Sequence, residues 1–453
     1  MSFLSRLYHS WSKDRLLGRI VKNSGLLFTS NVISAVLSIL TANLLGVDQF
    51  GALGIVISFG SNINRLLSFR MGDLVVKYLG EFMTRNERDK AGALVKAAGL
   101  MEAATSVLAY VVLLIAAPFG AKYIAHDPTT TPLFFLYGVS ILGMLTTETA
   151  TGVLQVGNHY RSQSLINLIQ SLVTAGIIFY AYVTHSGILV VLIAYLAGKL
   201  VAGICPIWMA LVRLNQMLGK NWWKASFKLL PPFKELAKFA VSTNLSGTIN
   251  MVVRDSELLW VGWLFNTQVA GYYKTALAVI NLLIMPINPF ISTTYPEMIR
   301  SITNKAWSQL KSLLRRVTLI AGGWTVAVGT FLILFGRQLF FTPWIPWKGQ
   351  LHAIYKEEFL PSLILLIILL VGFGLANSLY WNRSLLLAFG KPDYPLKVAF
   401  WAMVVKVLLT VTVVPILGYQ WEAVLLSVYL GVTVILLAGK GLSEIRKAEA
   451  GSL

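Results

Sequence analysis

FLPSLILLIILLVGFGLANSLY, residues 359–380, runs for 22 residues without a charged side chain. A helix needs about 20 apolar residues to cross the hydrocarbon core of a bilayer. This stretch therefore reads as a membrane span. The whole chain has the same character: 56% of its 453 residues are hydrophobic and 13% are charged, against about 25% charged in a soluble domain. Mean hydropathy is +0.69. That composition excludes a disordered chain, a coiled coil and an ordinary soluble enzyme.

Working outward from this span, periodicity and turn residues predict twelve helices, at roughly 24–45, 50–76, 92–117, 133–155, 164–184, 187–212, 239–264, 270–295, 314–336, 359–388, 396–416 and 420–439. Charge tests the count, because cytoplasmic loops collect Lys and Arg. Sorting the loops alternately puts 27 of the 38 Lys and Arg and 9 of the 19 acids on the side that holds both termini. The opposite loops carry four of each, so the two sides differ as +18 against 0. Both termini are expected in the cytoplasm. The formal charge of +19 is then explained by topology, and no nucleic-acid partner is expected. Cys205 is the single cysteine, so an intrachain disulfide is excluded, and the five histidines show no metal-ligand spacing. No metal, no cofactor and no cleavable signal peptide are expected.

The halves echo each other. Leu44-Leu45-Gly46-Val47-Asp48-Gln49-Phe50-Gly51 returns 220 residues later as Leu264-Phe265-Asn266-Thr267-Gln268-Val269-Ala270-Gly271. Val156-Gly157-Asn158-His159-Tyr160 and Tyr195-Leu196-Ala197 find weaker counterparts in Phe389-Gly390-Lys391-Pro392-Asp393-Tyr394 and Tyr429-Leu430-Gly431. Six spans per half gives parallel internal repeats. The expected fold is an all-α polytopic membrane protein of about 12 transmembrane helices in two six-helix lobes around a central cavity. Residues 1–23 form a basic amphipathic interfacial segment, 24–213 the N-terminal lobe, 214–235 a cytoplasmic interlobe linker, 236–440 the C-terminal lobe and 441–453 a cytoplasmic tail. Within the linker Trp222, Trp223, Phe227 and Leu230 alternate with Lys220, Lys224, Lys228 and Lys234, which fits a second amphipathic helix on an anionic leaflet.

Seven cations and six acids lie within the spans: Arg65, Arg70, Lys199, Arg254, Lys274, Arg383 and Lys406 against Asp73, Glu102, Glu148, Asp255, Glu257 and Glu422. Each costs about 2.5–3.5 kcal/mol to insert at the bilayer centre, so each needs a reason. Lys199, Glu102, Arg383 and Glu422 read as structural or snorkelling. In the second span Ser58, Asn62, Arg65, Arg70, Asp73 and Lys77 fall within an arc of about 140°. Asp73 reaches Arg70 or Lys77 along the helix, and Arg65 has no such partner. An arginine facing a cavity suits an anion, because its fork binds phosphate oxygens bidentately.

The seventh span presents Thr243, Ser246, Gly247, Asn250, Arg254 and Glu257 on one face. Arg254 lies roughly 15 Å from the helix end, near the midplane where repeat transporters bind substrate. Glu257 is placed to neutralise it, and Asp255 points to a neighbouring helix or a separate ionisable site. Asn31, Ser34, Ser38 and Thr41 on the first span, and Lys274, Asn281 and Asn288 on the eighth, complete the polar ring. Pro286 and Pro289 bend the eighth. The candidate substrate-binding residues are thus Arg65, Arg70, Arg254, Lys274, Asn31, Asn62, Asn250 and Asn281, and the candidates for ion coupling are Asp73, Asp255, Glu257 and Glu148. The sequence holds no Ser/His/Asp arrangement, HExxH or P-loop, and Gly372-Phe373-Gly374 reads as helix packing. Transport is the expected class, and no enzyme activity is expected.

The Leu44–Gly51 stretch, followed by a long helix ending in Arg70-Met71-Gly72-Asp73, resembles the "LLGxxxFG" opening of the Wzx-type polysaccharide flippases of the multidrug/oligosaccharidyl-lipid/polysaccharide superfamily. Ala270-Gly271-Tyr272-Tyr273 and the Ala388-Phe389-Gly390-Lys391-Pro392 turn are similar to that family too. The resemblance implies a flippase for undecaprenyl-diphosphate-linked oligosaccharide in the bacterial cytoplasmic (inner) membrane, working by alternating access on a gradient of H+ or Na+. It implies membrane lipids, a polysaccharide polymerase and a chain-length regulator as partners. A cation-coupled multidrug exporter of the same superfamily is the alternative; it would place unpaired acids at the cavity. A non-transporting membrane partner of polysaccharide synthesis is the third reading.

Overall fold

The computed structural model describes residues 15–68, 71–157, 159–230, 247–347 and 350–451, together with 232, 236, 244 and 245. The interfacial segment before residue 15, and Arg70, Asn158, Lys234, Thr243 and Ser246, lie outside the described residues. The chain is a succession of helices: α1 (Arg15–Leu67), α2 (Gly72–Thr84), α3 (Arg88–Phe119), α4 (Thr131–Gly143), α5 (Thr147–Val156), α6 (Tyr160–Val183), α7 (Ile188–Leu218), α8 (Glu257–Leu264), α9 (Thr267–Ile284), α10 (Asn288–Thr303), α11 (Trp307–Phe341), α12 (Ser362–Ser378), α13 (Asn382–Ala388), α14 (Asp393–Thr412), α15 (Val414–Leu417) and α16 (Gln420–Glu449). Among the described residues nine helical segments are long and apolar enough to cross a membrane. The first of them, Thr29–Leu67, has 39 residues and so holds two of the expected spans. The expected spans at 239–264 and 270–295 are the remaining two. The former lies partly outside the described residues, and the latter is broken into α9 and α10. Side chains such as Ile115, Val326, Val371 and Ile416 are exposed on the helix surfaces, as lipid contact requires. The protein is an all-α, multi-pass membrane protein.

Contacts divide the chain into two compact units, one of Leu40–Gly271 and one of the residues up to Ile39 with Tyr272–Leu453. This division follows packing, whereas the lobe limits 24–213 and 236–440 follow the internal repeat. In the first unit Leu74, Val75, Leu79, Leu94, Val153 and Leu214 form a core that joins α2, α3, α5 and α7. In the second unit Met298, Leu310, Trp381, Leu385 and Ile445 join α10, α11, α13 and α16.

The repeated motif is a packing device. Gly46 turns α1 with a φ of 75°, a conformation that suits glycine. Beyond it, a Cβ on Gly51 would lie 1.8 Å from the Thr267 carbonyl oxygen. A Cβ on Gly271 would lie 2.1 Å from the Val47 carbonyl oxygen. Val47 and Thr267 are equivalent positions of the two motifs, as are Gly51 and Gly271. The contact is therefore reciprocal, the signature of a two-fold relation between equal pieces. The Thr267 hydroxyl adds a hydrogen bond to Asp48.

Several expected spans are interrupted. The second, expected over 50–76, stops at Leu67 and restarts at Gly72. The break brings Gly72 against α5, where a Cβ would lie 3.2 Å from the Glu148 carbonyl oxygen, and a Cβ on Gly152 2.9 Å from that of Gly72. One consequence corrects the sequence reading: Arg65 and Asp73 belong to different helices, so the arc of about 140° drawn along a single helix does not hold. The fourth expected span divides at residues 144–146 into α4 and α5, and the eighth divides before Pro289, which occupies the first turn of α10. The linker is also not an amphipathic helix. It forms two single 3-10 turns, Trp222–Lys224 and Phe227–Leu229. Lys96 of α3 straps it down, donating to the Ala225 carbonyl and lying 4.1 Å from the Phe227 ring centroid. The long loop after α11 folds as a hairpin, β1 (Ile345–Trp347) against β2 (Gln350–His352), with Ile345 opposite His352.

Candidate functional site

The Leu40–Gly271 unit gathers most of the intramembrane charge. Arg65, in the last turn of α1, forms an ion pair with Asp255. The two are separated by 190 positions in sequence, so no periodicity argument along one helix could pair them. Arg65 is accordingly not an unpartnered cation, and Asp255 takes up the neighbouring-helix role that its angular offset suggests. Three residues before Arg65 on the same helix, Asn62 is buried and donates to the Ser256 hydroxyl at 2.9 Å. Ser256 in turn donates to the Met251 carbonyl at 2.8 Å. That last bond closes over a five-residue π-helical turn, Met251–Asp255. A π turn inserts one residue into the helix and so rotates the facing of the residues beyond it. The even polar face drawn through Asn250, Arg254 and Glu257 is broken by it: Asn250, Arg254 and Asp255 are exposed while Glu257 is buried.

Behind the ion pair lies a cavity of about 140 Å³. Arg65, Ser61, Asn64 and Ser68 line it from the α1 side, Tyr137, Ser140 and Thr147 from the fourth span, and Lys199 from α7. Glu102 of α3 and Glu148 of α5 border it as well. Of these only Arg65 and Glu148 are site candidates from sequence. Lys199 and Glu102 read there as structural, since a lone charge in an apolar run gives no sign of what stands opposite it. Asp73 is exposed in the first turn of α2 and does not line the cavity.

The remaining candidates belong to the other unit. Lys274 is half-buried and Asn281 exposed on α9, and Asn31 is exposed on the first half of α1. In this unit a fully enclosed ion pair lies elsewhere: Lys406 pairs with Glu422, whose second oxygen accepts from the Thr410 hydroxyl at 2.8 Å. No group of three or more His, Cys, Asp or Glu side chains placed to hold a metal occurs among the described residues.

The comparisons agree with this architecture. The polysaccharide biosynthesis protein family model matches residues 20–302. The inner membrane protein YghQ of Escherichia coli (strain K12) is 24% identical over 336 residues, covering 73% of this chain and 93% of that protein. Among solved structures, the lipid II flippase MurJ in an inward closed conformation superposes with a TM-score of 0.71 at 15% identity, over 95% of this chain and 90% of MurJ. An inward-facing multidrug resistance MATE family transporter superposes with the same TM-score of 0.71 at 14% identity, over 94% of this chain and 96% of that one. The resemblance read from the Leu44–Gly51 motif is thereby borne out: the chain belongs to the polysaccharide biosynthesis protein family and has the two-lobed, 12-helix fold of the multidrug/oligosaccharidyl-lipid/polysaccharide transporter superfamily.

Proposed function

We propose that the protein is a flippase that carries undecaprenyl-diphosphate-linked oligosaccharide from the cytoplasmic to the outer leaflet of the bacterial cytoplasmic membrane, by alternating access, for synthesis of a surface polysaccharide. One observation carries the reading beyond the family: a cation inside the spans, Arg65, lines a polar cavity and is held by an acid from another segment of the chain. A diphosphate brings more negative charge than one carboxylate and presents it in the planar spacing a guanidinium fork accepts. It can therefore take Arg65 from Asp255. Arg254, in the same unit as Arg65, is the further cation for the diphosphate, and Asn250 supplies an amide for sugar hydroxyls. Asn62 already spends one amide hydrogen on Ser256.

Asp255 released from Arg65 loses its ion-pair partner and keeps only the adjacent Arg254 as a neighbouring cation, and a proton or Na+ can then take the place of Arg65. That makes Asp255 the first coupling candidate, ahead of Glu257, Glu148 and Asp73. Reconstitution in proteoliposomes with a fluorescent undecaprenyl-diphosphate oligosaccharide tests the proposal. Wild type should translocate the head group. Arg65→Ala and Arg254→Ala should each slow it by about 10- to 100-fold, the worth of a charge-assisted hydrogen bond, at unchanged expression. Arg65→Lys should restore only part of the rate, since it keeps the charge and loses the fork. Wild-type protein that moves no glycan, but extrudes organic cations against a proton or sodium gradient, sinks the flippase and installs the exporter.

A further inference from the structure

Glu102 is buried on α3 at 1% exposure, and nothing in the flippase reading uses it. It neither snorkels nor pairs along its own helix. Its two carboxylate oxygens accept one hydrogen bond each, from the backbone N–H of Glu148 at 2.8 Å and from that of Thr149 at 2.9 Å. Those amides belong to the first turn of α5, the helix end exposed where the fourth span breaks. An open helix N-terminus inside a bilayer has unsatisfied donors and a partial positive charge, and Glu102 closes it from another helix. The Thr149 hydroxyl is buried beside the same carboxylate.

The charged and titratable side chains that share the cavity with Glu102 are Arg65 of α1, Tyr137 of α4, Glu148 of α5 and Lys199 of α7. Among the described residues Lys199 makes no hydrogen bond and no ion pair, and the like charge of Arg65 acts on it. With both acids ionised the side chains that line the cavity sum to zero charge, and Arg65 is paired with Asp255. A proton on Glu102 changes that balance. It leaves an excess of one positive charge beside a lysine without a counter-ion. The neutral acid also accepts more weakly than the carboxylate did, so the two α5 amides are held less tightly and are freer to donate to an entering anion.

We propose that this cavity binds a proton and an oxyanion together, the proton on Glu102 and the oxyanion on Lys199 and Arg65, each raising the affinity for the other. The identity of the oxyanion as the phosphate of the carried lipid rests on the flippase reading; the joint site does not. No covalent step is involved: a proton is taken from the medium when the anion enters and returned when it leaves. Linkage makes the coupling reciprocal, so a tenfold gain in anion affinity on protonation is also a tenfold gain in proton affinity on anion binding.

Sulfate is a suitable probe, being a tetrahedral dianion whose own charge stays fixed through the neutral range. Its binding to the purified full chain would be measured by calorimetry at about pH 5.5 and about pH 8, where linkage predicts an affinity roughly tenfold tighter at the acid end. Glu102→Gln should bind sulfate at both values as tightly as the wild type does in acid, and Lys199→Gln should lose it at both. Sulfate added to wild type in weak buffer should also draw protons from solution, a readout that needs no variant to fold. Wild-type binding that is absent, or independent of pH, overturns the joint site. So does a Glu102→Gln protein that keeps the pH dependence, or sulfate binding without proton uptake. Displacement of sulfate by undecaprenyl diphosphate assigns the anion to the carried lipid; displacement by inorganic phosphate alone overturns that assignment. Because no glycan enters the sulfate experiment, its failure leaves the flippase standing, and failed flipping beside intact sulfate–proton coupling removes the flippase alone.

Discussion

Alanine at Gly51 or at Gly271 is expected to pull the two repeated motifs apart. The atom that a new methyl would meet is a backbone oxygen in each case, at 1.8 Å for Gly51 and 2.1 Å for Gly271. A backbone carbonyl cannot swing aside as a side-chain terminus can, so the helices themselves must separate. Overpacking a well-filled site costs about 1–3 kcal/mol, and a clash this close belongs at or above the top of that range. The two substitutions act on one crossing, so the double variant should cost clearly less than the sum of the singles. Gly176, with no atom within 4 Å of its position for a Cβ, supplies the control, and Gly176→Ala should melt at or above wild type. The readout is the melting temperature of the detergent-solubilised protein beside its rate of head-group translocation. A Gly51→Ala protein as stable and as active as wild type would show that the crossing does not hold the fold.

That crossing shows which features a linear reading reaches. The echo of Leu44–Gly51 in Leu264–Gly271 is visible in the sequence, and with it the repeat and the family resemblance. The fact that the two copies touch each other is not, because periodicity reports the faces of one helix and says nothing of which helix lies opposite. The same limit governs the charges. Hydropathy alone marks Arg65, Asp255, Lys406 and Glu422 as charges within apolar spans. The pairing of Arg65 with Asp255 spans 190 positions, and a π turn just before Ser256 defeats angles counted at 100° per residue. Breaks within spans are legible only where proline marks them, as before α10. At residues 144–146 no proline stands, and the break is stabilised instead by Glu102 from a different helix. Lys199 is not recognisable in the sequence for the same reason: the cavity it lines with Arg65, Glu102 and Glu148 is assembled from four different helices, which no spacing along one helix can display.

The Lys406–Glu422 pair allows the sharpest test of how the Tyr272–Leu453 unit holds together. Lys406 on α14 and Glu422 on α16 have side chains 2% and 0% exposed, so neither charge is screened by solvent. Thr410, one helical turn after Lys406, donates to the other carboxylate oxygen. Removing one partner leaves an uncompensated charge in a low-dielectric core, a loss of about 3–5 kcal/mol. Lys406→Met and Glu422→Gln should therefore each lower the melting temperature sharply and reduce the amount of protein recovered from the membrane. Lys406→Met together with Glu422→Met removes both charges and puts apolar bulk in their place, an exchange that is often neutral or stabilising by about 1–4 kcal/mol. The double variant is expected to melt above either single, with a coupling energy of opposite sign to their sum. Additive losses would show that the two side chains do not sense each other, and the pairing of α14 with α16 through them would be wrong. Translocation by the double variant then separates two roles. A rate near wild type makes the pair a structural pin between α14 and α16. A stable protein that no longer translocates means that the charges are exchanged during the transport cycle, and that the buried cation is kept for use rather than for stability.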